Sequence, residues 1–457
     1  MYRKKYHIHF IGIGGIGMSG IAELLLNLNY CVSGSDLHRS DITDRLEKLG
    51  GTVFEGHAAG QIAGADVVVV SSAVDDANVE VVAAQQDSIP VIPRAEMLAE
   101  LMRLKYSIAV AGAHGKTSTT SLVASVLAAG GLDPTVVIGG KLKSIGSNAK
   151  LGQGDYLVAE ADESDGSFLR YSPTIAVVTN IDKEHLDFYK DLDEIKSVFL
   201  DFLDRITFYG LAVLCLDNEA IQDLIPRLRR RFLTYGMSPQ ADLQAREIHC
   251  SGQVSRYSVA YHGELLGEVA LNLPGEHNVY NSLASIAVGL ELGVDFTRIK
   301  AALEKVEGVQ RRLETKGRVR GITILDDYGH HPTEIKTTLD ALTRGWPGRR
   351  KVVLFQPHRY TRTQALFDDF TRSFYEADVL LVMSIFAASE TPIEGVDSQK
   401  LCTGIAAHGH KDVRFVDDMQ GALAELAKLV TEGDLVLTLG AGNVYQVGEA
   451  FLERSDA

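Results

Sequence analysis

Residues 107–118, SIAVAGAHGKTS, run from an apolar strand through a glycine turn to a lysine and a hydroxyl residue that open a helix. Such turns bind phosphate because backbone N–H groups and the amino end of the helix both face the anion. Lys116 would reach the β- and γ-phosphates of a triphosphate, and Thr117 would ligate magnesium. The spacing is a short variant, GxxGK[ST], that contains a histidine, since Val110 stands where the usual pattern has glycine. The predicted loop residues are Gly112, Ala113, His114, Gly115, Lys116, Thr117 and Ser118.

Two clusters of acidic and polar side chains follow later apolar strands. They are AEADESDGSF, with Glu160, Asp162, Glu163 and Asp165, and TNIDKEHLDFY, with Asn180, Asp182 and His185. Ligands of open α/β sheets bind at the carboxyl ends of the strands, where carboxylates beside a phosphate loop suit magnesium. Glu160 is the strongest candidate because it ends an apolar strand at the same predicted edge as Lys116. His185 fits a metal ligand, a substrate contact or a structural hydrogen bond.

A second glycine-rich turn, GIGGIG at Gly12–Gly17, follows the first apolar strand and precedes a helical stretch. Asp36 lies 19 residues beyond Gly17 at the end of the next strand, which matches the dinucleotide-binding pattern. The same turn binds any diphosphate. The sequence therefore predicts a diphosphate site here and leaves a nicotinamide cofactor and a UDP-sugar both open.

Histidine, tyrosine and arginine side chains follow two strands near the carboxyl end of the chain. They are Asp327, Tyr328, His330, His331 and Glu334 after one strand, and His358, Arg359, Tyr360 and Arg362 after the next. Paired arginines suit a carboxylate or phosphate, because a guanidinium group can grip either with two hydrogen bonds. Asn278 and Asn281 stand near a helix start, where an amide can pair with an adenine edge but more often caps the helix.

Short apolar strands alternate with helical stretches along most of the chain, which predicts α/β domains built on parallel sheets. A chain of 457 residues is too long for one core and favours about three domains. We place them at residues 1–105, 106–312 and 313–457. The first and third are predicted to be Rossmann-like, and the second to carry the phosphate loop. Residues 240–273 predict an antiparallel hairpin inserted in, or packed beside, the central sheet.

The composition of the chain argues against several classes of binding partner and structural site. The net charge of −15 argues against a nucleic-acid partner. The four cysteines include no CxxC pair, so they indicate neither a zinc site nor a disulfide framework and suit a reducing compartment. No run approaches the roughly 18 apolar residues of a membrane helix, and the amino terminus has no signal-peptide pattern. We expect a cytoplasmic protein that acts on small molecules and does not insert into membranes.

Twelve short motifs, in their order along the chain, resemble those of the ATP-dependent amino-acid ligases of bacterial cell-wall synthesis and of the related folylpolyglutamate synthases. They are GIGGIGMSG, SGSD, SSAV, RAEML, GAHGKTST, EADESDGSF, NIDKEHLD, GEHNVYN, EGVQRRLE, DDYGHHPTE, QPHRYTRT and GAGN. The resemblance covers essentially the whole chain. It departs at Ala113, where the family loop usually has threonine, and this change leaves the backbone of the loop intact.

The resemblance implies three α/β domains and an enzyme that uses ATP to join L-alanine to the lactyl carboxylate of UDP-N-acetylmuramate through an acyl phosphate. It also implies Mg²⁺ or Mn²⁺ as cofactor and a cytoplasmic step of peptidoglycan precursor synthesis, carried out by a monomer or homodimer. The alternative within the family is the sister ligase that attaches a tripeptide to the same sugar. From other classes, an NAD-dependent dehydrogenase and a nucleotide-gated binding protein stay open.

The resemblance further implies roles for individual residues. The UDP-sugar would contact Gly14, Gly15, Ile16, Gly17, Asp36, Ser71, Ser72, Arg94 and His114. ATP on loop 112–118 would have Asn278 and Asn281 at the adenine, Asp327 at the ribose and Arg312 at the transferred phosphate. The amino acid would contact Tyr328, His330, His331, Arg359 and Arg362, and the metal Thr117, Glu160 and His185. The predicted catalytic side chains are Lys116, His185, His331 and Arg312. Which of His185, His330 and His331 takes the proton of the attacking amine stays open.

Overall fold

Three β-sheets flanked by helices organise the chain in the computed structural model, which describes residues 6–71, 73–142, 147–185 and 188–456. The chain divides into two units. The first contains residues 1–246, 258–269 and 280–307, and the second contains residues 247–257, 270–279 and 308–457. Strands and helices alternate through both units, as predicted for the α/β class.

The first sheet has five parallel strands in the order β3-β2-β1-β4-β5. Its elements are β1 (His7–Ile11), α1 (Ile16–Asn27), β2 (Cys31–Asp36), α2 (Asp41–Lys48), β3 (Thr52–Glu55), β4 (Val67–Val70), α3 (Val79–Gln86), β5 (Val91–Pro93) and α4 (Arg94–Met102). The strand order reverses between β1 and β4. The carboxyl end of β1 therefore opens into the crevice where sheets of this type bind ligands, and it leads directly into the turn Gly12–Gly17.

The second sheet carries the predicted phosphate loop. Its elements up to residue 236 are β6 (Tyr106–Ala111), α5 (Lys116–Ala129), β7 (Thr135–Leu142), β8 (Ser147–Lys150), β9 (Tyr156–Glu160), β10 (Ile175–Val178), α6 (Leu192–Asp204), β11 (Leu211–Cys215), α7 (Glu219–Gln222) and β12 (Phe232–Gly236). These strands lie in the order β12-β11-β10-β6-β9-β7-β8, and β8 is antiparallel to β7.

The register of this sheet determines which loops meet. Strand β6 pairs in parallel with β9 on one side and β10 on the other, with Val110 opposite Glu160 and Ala111 opposite Val178. Both acidic clusters therefore begin at the edge where β6 ends. The aliphatic residues of these three strands are almost fully buried, which fixes the position of the loops that follow them.

Three further strands, β13 (Leu243–Ser251), β14 (Val254–Tyr261) and β15 (Glu264–Leu271), continue the same sheet beyond β12 in that order. Strand β13 pairs in parallel with β12, with Leu243 opposite Tyr235. The strands predicted over residues 240–273 are thus part of the main sheet. Helices α8 (Glu276–Glu291) and α9 (Phe296–Lys305) follow them.

The third sheet lies in the second unit and has the order β16-β17-β21-β18-β19-β20, with β16 antiparallel to β17 and the other pairs parallel. Its elements are β16 (Glu314–Val319), β17 (Ile322–Asp327), α10 (Pro332–Gly345), β18 (Lys351–Phe355), α11 (Tyr360–Ala365), α12 (Phe367–Phe370), β19 (Val379–Met383), α13 (Ser398–Ala407), β20 (Val413–Val416), α14 (Met419–Leu429), β21 (Leu435–Leu439) and α15 (Tyr445–Asp456).

Both faces of the third sheet are buried. Leu325 and Leu437 point into a core on one face, while their neighbours Ile324 and Val436 belong to a core on the other. Strand β21 separates β17 from β18, so the loops after β17 and β18 begin two strands apart at one edge. Among the described residues, no helix combines the length and apolar character needed to cross a bilayer.

Candidate functional site

The loop between β6 and α5 depends on two glycines with positive φ. Gly112 has φ +128°, and a Cβ atom there would collide with Thr179 Oγ1. Gly115 has φ +82° and forms the N-cap of α5, and a Cβ atom would lie 2.6 Å from Asn281 Oδ1. L-residues rarely adopt these backbone angles, and neither position has room for a side chain. The geometry therefore explains why this sequence needs glycine at both positions.

His114 is held in the loop through its backbone and its side chain. Asn180 accepts a hydrogen bond from the His114 N–H at 2.8 Å and donates one to its carbonyl at 2.9 Å, and Thr179 Oγ1 donates to the same carbonyl at 2.6 Å. The imidazole Nε2 lies 3.0 Å from Asp182 Oδ2. The segment after β10 therefore orients the histidine of the phosphate loop, a contact that sequence analysis did not predict.

Lys116 forms an ion pair with Glu163. Its Nζ donates to Glu163 Oε1 at 2.7 Å and Oε2 at 3.0 Å, and to the Gly112 carbonyl at 2.7 Å. Burial alone would lower the pKa of Lys116, but the negative charge of Glu163, helped by Asp162 and Glu184, outweighs it and raises that pKa. Burial would likewise raise the pKa of Glu163, and the Lys116 charge instead holds it below its usual value. Both groups are therefore charged at neutral pH.

His185 lies beside the same carboxylate. Its Nε2 is 3.7 Å from Glu163 Oε1 and 3.9 Å from Glu184 Oε2. Burial opposes the charged imidazolium, yet the adjacent Glu163 carboxylate and the charge of Glu184 raise the pKa of His185. Ligand atoms of Glu163, Glu184 and His185 lie within 4.8 Å of one another. Two carboxylates and an imidazole at this spacing form a donor set that fits a divalent cation.

Glu160 occupies the predicted edge, but its Oε1 accepts a hydrogen bond from the Gly139 N–H at 2.8 Å. Thr117 is buried at the start of α5. The structure thus groups His185 with Glu163 and Glu184, whereas the sequence had combined it with Glu160 and Thr117. Glu163 stood in the predicted acidic cluster, but the sequence contained no signal that singled it out.

The turn after β1 gathers several predicted UDP-sugar residues. Asp36 accepts a hydrogen bond from the Gly14 N–H at 2.8 Å, so this carboxylate at the end of β2 stabilises the glycine turn. Gly17 packs closely against Arg94, because Arg94 Cδ would lie 3.1 Å from a Cβ atom there. Gly15 is the N-cap of α1, and Ile16, which is half exposed, is the first residue of that helix.

Arg94 connects this turn to the acidic cluster after β9, since its Nη2 lies 3.8 Å from Asp162 Oδ2. Ser71 lies beside Gly12, with its Oγ 3.8 Å from where a Cβ of that glycine would be. Ser72 lies outside the described residues. Asn148 of β8 donates to the Ile16 carbonyl and, at 3.2 Å, to Ser19 Oγ, contacts that the sequence did not predict.

The two asparagines of GEHNVYN have different surroundings. Asn281 is buried and accepts a hydrogen bond from Thr119 Oγ1 at 3.1 Å, which places it against Gly115 and the first turn of α5. Asn278 donates to the Pro274 carbonyl at 2.8 Å. In the first unit, Asn281 therefore lies directly at the phosphate loop.

In the second unit, Asp327 ends β17 and is buried. It accepts hydrogen bonds from the backbone N–H groups of Leu313 at 2.6 Å and Gly329 at 2.8 Å. Burial raises the pKa of Asp327 to about 6, against the opposing charge of Arg312. The Arg312 guanidinium lies 5.3 Å from the centre of the Tyr328 ring and 3.8 Å from Glu334.

His331 is the N-cap of α10, and its Nδ1 accepts a hydrogen bond from the Thr333 N–H at 3.3 Å. The neighbouring His330 lies beside another imidazole, with its ring centre 5.8 Å from the ring centre of His358. Burial lowers the pKa of His330 to about 3, and Glu334 only partly offsets this. His330 is therefore neutral at physiological pH and a weak base.

The predicted amino-acid arginines follow β18. Arg362 Nη1 lies 3.4 Å from His358 Nδ1. Arg359, exposed at the start of α11, has φ +69° and ψ 139°, which is unusual for a non-glycine residue and is a kind of backbone strain found at binding sites. Burial and the charge of Arg362 lower the pKa of His358 to about 4, so the arginines carry the positive charge of this loop.

Comparison with known protein families gives three matches along the chain. A model described as the Mur ligase family, catalytic domain, matches residues 7–106. The Mur ligase middle domain matches residues 110–289, and the Mur ligase, glutamate ligase domain, matches residues 311–442.

Relatives match over the full length. A UDP-N-acetylmuramate–L-alanine ligase of Desulfatibacillum aliphaticivorans is 67% identical over 452 residues, 99% of both chains. The protein of that name in Desulfosudis oleivorans is 65% identical over the same share. Among solved structures, the UDP-N-acetylmuramate-alanine ligase of Thermotoga maritima has 30% identity and a TM-score of 0.83, covering 98% of this chain and 99% of its own. These matches confirm the predicted three-domain α/β fold.

Proposed function

The chain belongs to the Mur ligase family, and we propose that it uses ATP to join L-alanine to the lactyl carboxylate of UDP-N-acetylmuramate. The observation that supports this proposal most strongly is the 67% identity, over 99% of both chains, to a protein named UDP-N-acetylmuramate–L-alanine ligase. The reaction is a step of peptidoglycan precursor synthesis. The protein acts in the cytoplasm, as a monomer or homodimer, on small molecules alone.

The first step takes place on the loop after β6. ATP binds along residues 112–118, and the lactyl carboxylate attacks the γ-phosphorus to form an acyl phosphate and ADP. Lys116 neutralises charge on the transferred phosphate, which requires its Nζ to exchange one of its present acceptors for phosphate oxygen. Asn278 and Asn281 are assigned to the adenine. The position of Asn281 against Gly115 supports the assignment of ATP to this loop. Asp327 is assigned to the ribose and Arg312 to the transferred phosphate.

The donor set at the loop fits Mg²⁺ or Mn²⁺. Thr117, Glu160 and His185 are the proposed ligands, and Glu163 and Glu184 add carboxylate oxygens beside His185. When bound, the cation offsets negative charge on the phosphates. The raised pKa of His185 indicates a strongly negative surrounding, which is what a cation site requires.

UDP-N-acetylmuramate is assigned to the turn after β1. The proposed diphosphate contacts are Gly14, Gly15, Ile16 and Gly17. The Gly14 N–H donates to Asp36 and the Gly15 N–H to the Gly12 carbonyl, so the backbone N–H groups of Ile16 and Gly17 at the amino end of α1 are the proposed donors. The remaining contacts proposed for it are Ser71, Ser72, Arg94 and His114. Arg94 supports the assignment because it touches both Gly17 and Asp162, so it spans the distance from the turn to the acidic cluster beside the phosphate loop.

The second unit is proposed to hold L-alanine. Arg359 and Arg362 bind its carboxylate, and Tyr328, His330 and His331 surround the rest of the molecule. A neutral His330 suits this role, because it offers a hydrogen bond without repelling the amino group.

Mass spectrometry of the reaction product tests the proposal. Purified protein with ATP, Mg²⁺, UDP-N-acetylmuramate and L-alanine is expected to yield the sugar nucleotide extended by one alanyl residue, together with ADP and phosphate. An unextended sugar nucleotide after ADP has accumulated would refute the assignment of L-alanine as substrate.

A further inference from the structure

We propose that His114 accepts the proton that the amine of L-alanine loses during amide formation, and that Asp182 positions His114 for this task. The inference rests on the proposed function and deepens it. His114 was predicted only as a contact of ATP and the UDP-sugar, and Asp182 only as a member of an acidic and polar cluster that suits magnesium.

The position of His114 in the phosphate loop suits a proton acceptor. His114 stands in the phosphate loop between Gly112 and Lys116, so its ring starts from the backbone that cradles the phosphate destined to leave as the amide forms. Asn180 binds both the N–H and the carbonyl of His114, and Thr179 binds the carbonyl again. Three hydrogen bonds to one residue leave its backbone little freedom. The backbone position from which the imidazole of His114 extends is therefore fixed.

Asp182 determines the tautomer of the His114 ring. Nε2 faces Asp182 Oδ2 at 3.0 Å, so the Nε2–H donates to the carboxylate and Nδ1 is the basic nitrogen. Asp182 is itself held, because its Oδ1 accepts a hydrogen bond from the Lys183 N–H at 2.7 Å. A carboxylate that fixes the tautomer of an imidazole and stabilises the imidazolium is the arrangement found in many general bases.

The three histidines that the sequence analysis left open as proton acceptors are less suited than His114. His331 uses Nδ1 to accept from the Thr333 N–H, which leaves its proton on Nε2. Burial makes His330 a weak base, with a pKa of about 3. His185 is assigned to the cation. His114 combines a basic nitrogen, an acidic partner and a place in the phosphate loop.

The proposed step balances as follows. The neutral amine of L-alanine attacks the carbonyl carbon of the acyl phosphate, and the C–N bond forms. The nitrogen, now positively charged, gives one proton to His114 Nδ1. The C–O bond to phosphorus-bound oxygen then breaks, and the electron pair leaves with inorganic phosphate. The imidazolium returns its proton to water.

The test separates amide formation from acyl phosphate formation. Each variant is assayed with ATP, Mg²⁺ and UDP-N-acetylmuramate, once with L-alanine and once with hydroxylamine. Hydroxylamine is largely unprotonated at neutral pH and traps the acyl phosphate as a hydroxamate without a protein base. The variants are Asp182→Asn, Asp182→Glu and His114→Gln. Asp223→Asn, which removes the acid of the exposed Lys196 pair, is the control.

We expect Asp182→Asn to slow alanine ligation about 10²-fold or more while hydroxamate formation stays near the wild-type rate. His114→Gln also loses a proposed UDP-sugar contact, so its alanine ligation should fall well beyond its hydroxamate formation. Asp182→Glu should recover much of the ligation, because it restores an acid to the imidazole. Equal loss of both reactions, or unchanged ligation, would overturn the inference. A wild-type protein that forms neither product would overturn the proposed function itself.

Discussion

Lys116 donates to both carboxylate oxygens of Glu163, at 2.7 and 3.0 Å, although the two residues lie 47 positions apart in the sequence. The side chain of Glu163 is 4% exposed and that of Lys116 is 17% exposed. Together with the Gly112 carbonyl, Glu163 occupies the donors of the ammonium group. Binding of a triphosphate by Lys116 therefore requires the ammonium group to exchange one of these acceptors for phosphate oxygen.

Replacement of Lys116 by alanine should abolish activity and also destabilise the fold. Phosphate release should fall by about 10²-fold or more, because the transferred phosphate loses its neutralising cation. Loss of one partner leaves Glu163 charged and buried, which costs about 3–5 kcal/mol. Urea unfolding of the purified variant measures this cost.

The double variant Lys116→Met with Glu163→Gln is the matched control for that prediction. It removes both charges, so most of the lost stability should return while activity stays absent. Equal stability of Lys116→Ala and the wild type would show that the ion pair contributes little to the fold.

Gly112→Ala should eliminate ATP binding and preserve UDP-sugar binding. The added methyl group collides with Thr179 and Asn180 and forces the loop away from its present path. Isothermal titration with each nucleotide separates the two effects. Gly131→Ala is the control, because it also has positive φ, +83°, but nothing lies within 4 Å of the new atom. If Gly112→Ala bound ATP as the wild type does, the loop would not be the ATP site.

Arg362→Lys should raise the KM for L-alanine about 10-fold and leave the KM for ATP unchanged. Lysine keeps the charge but lacks the planar fork that binds a carboxylate with two hydrogen bonds. Arg372→Lys, at an exposed position beside His408, is expected to behave as the wild type. A change in the KM for ATP alone would move Arg362 to the nucleotide.

The fold should lose stability as the pH falls from about 6.5 to 4. Burial and the charge of Arg312 lower the pKa of His277 to about 4, and burial lowers those of His330 and His358 to about 3 and 4. In that window the unfolded chain binds more protons at these three histidines than the folded chain does, so each contributes stability that is complete above pH 6.5 and lost on acidification. The slope per histidine is at most about 1.4 kcal/mol per pH unit.

Thermal unfolding followed between pH 7 and pH 4.5 tests this directly. His277→Gln should have a shallower decline than the wild type, because one of the three depressed bases is gone. Parallel curves for the two proteins would contradict the assignment of a depressed pKa to His277.

The local parts of the site could be predicted from the sequence because their signals are contiguous. The strand, the glycines and Lys116 follow each other within 12 residues, and the structure places them on β6, the loop and α5. The placement of Glu160 at the end of β9 followed from the apolar run before it. The predicted domain boundaries near residues 105 and 312 rest on the same kind of reasoning and stay predictions.

The pairings within the site could not be predicted, because they depend on sheet order. Asp182 meets His114, 68 positions away, only because β10 lies next to β6, and Glu163 meets Lys116 because β9 lies on the other side. The bond from Gly139 to Glu160 depends on β7 pairing with β9 in the same way. Nothing in the local pattern distinguishes these acids from their neighbours.

Phosphate release by the purified protein tests the central claim most directly. The assay contains ATP, Mg²⁺ and UDP-N-acetylmuramate, with L-alanine, glycine, L-serine or the cell-wall tripeptide added in turn, and Lys116→Ala as the blank. The account predicts release that requires the sugar nucleotide and is fastest with L-alanine. Release that requires the tripeptide, or that occurs without the sugar nucleotide, would contradict it.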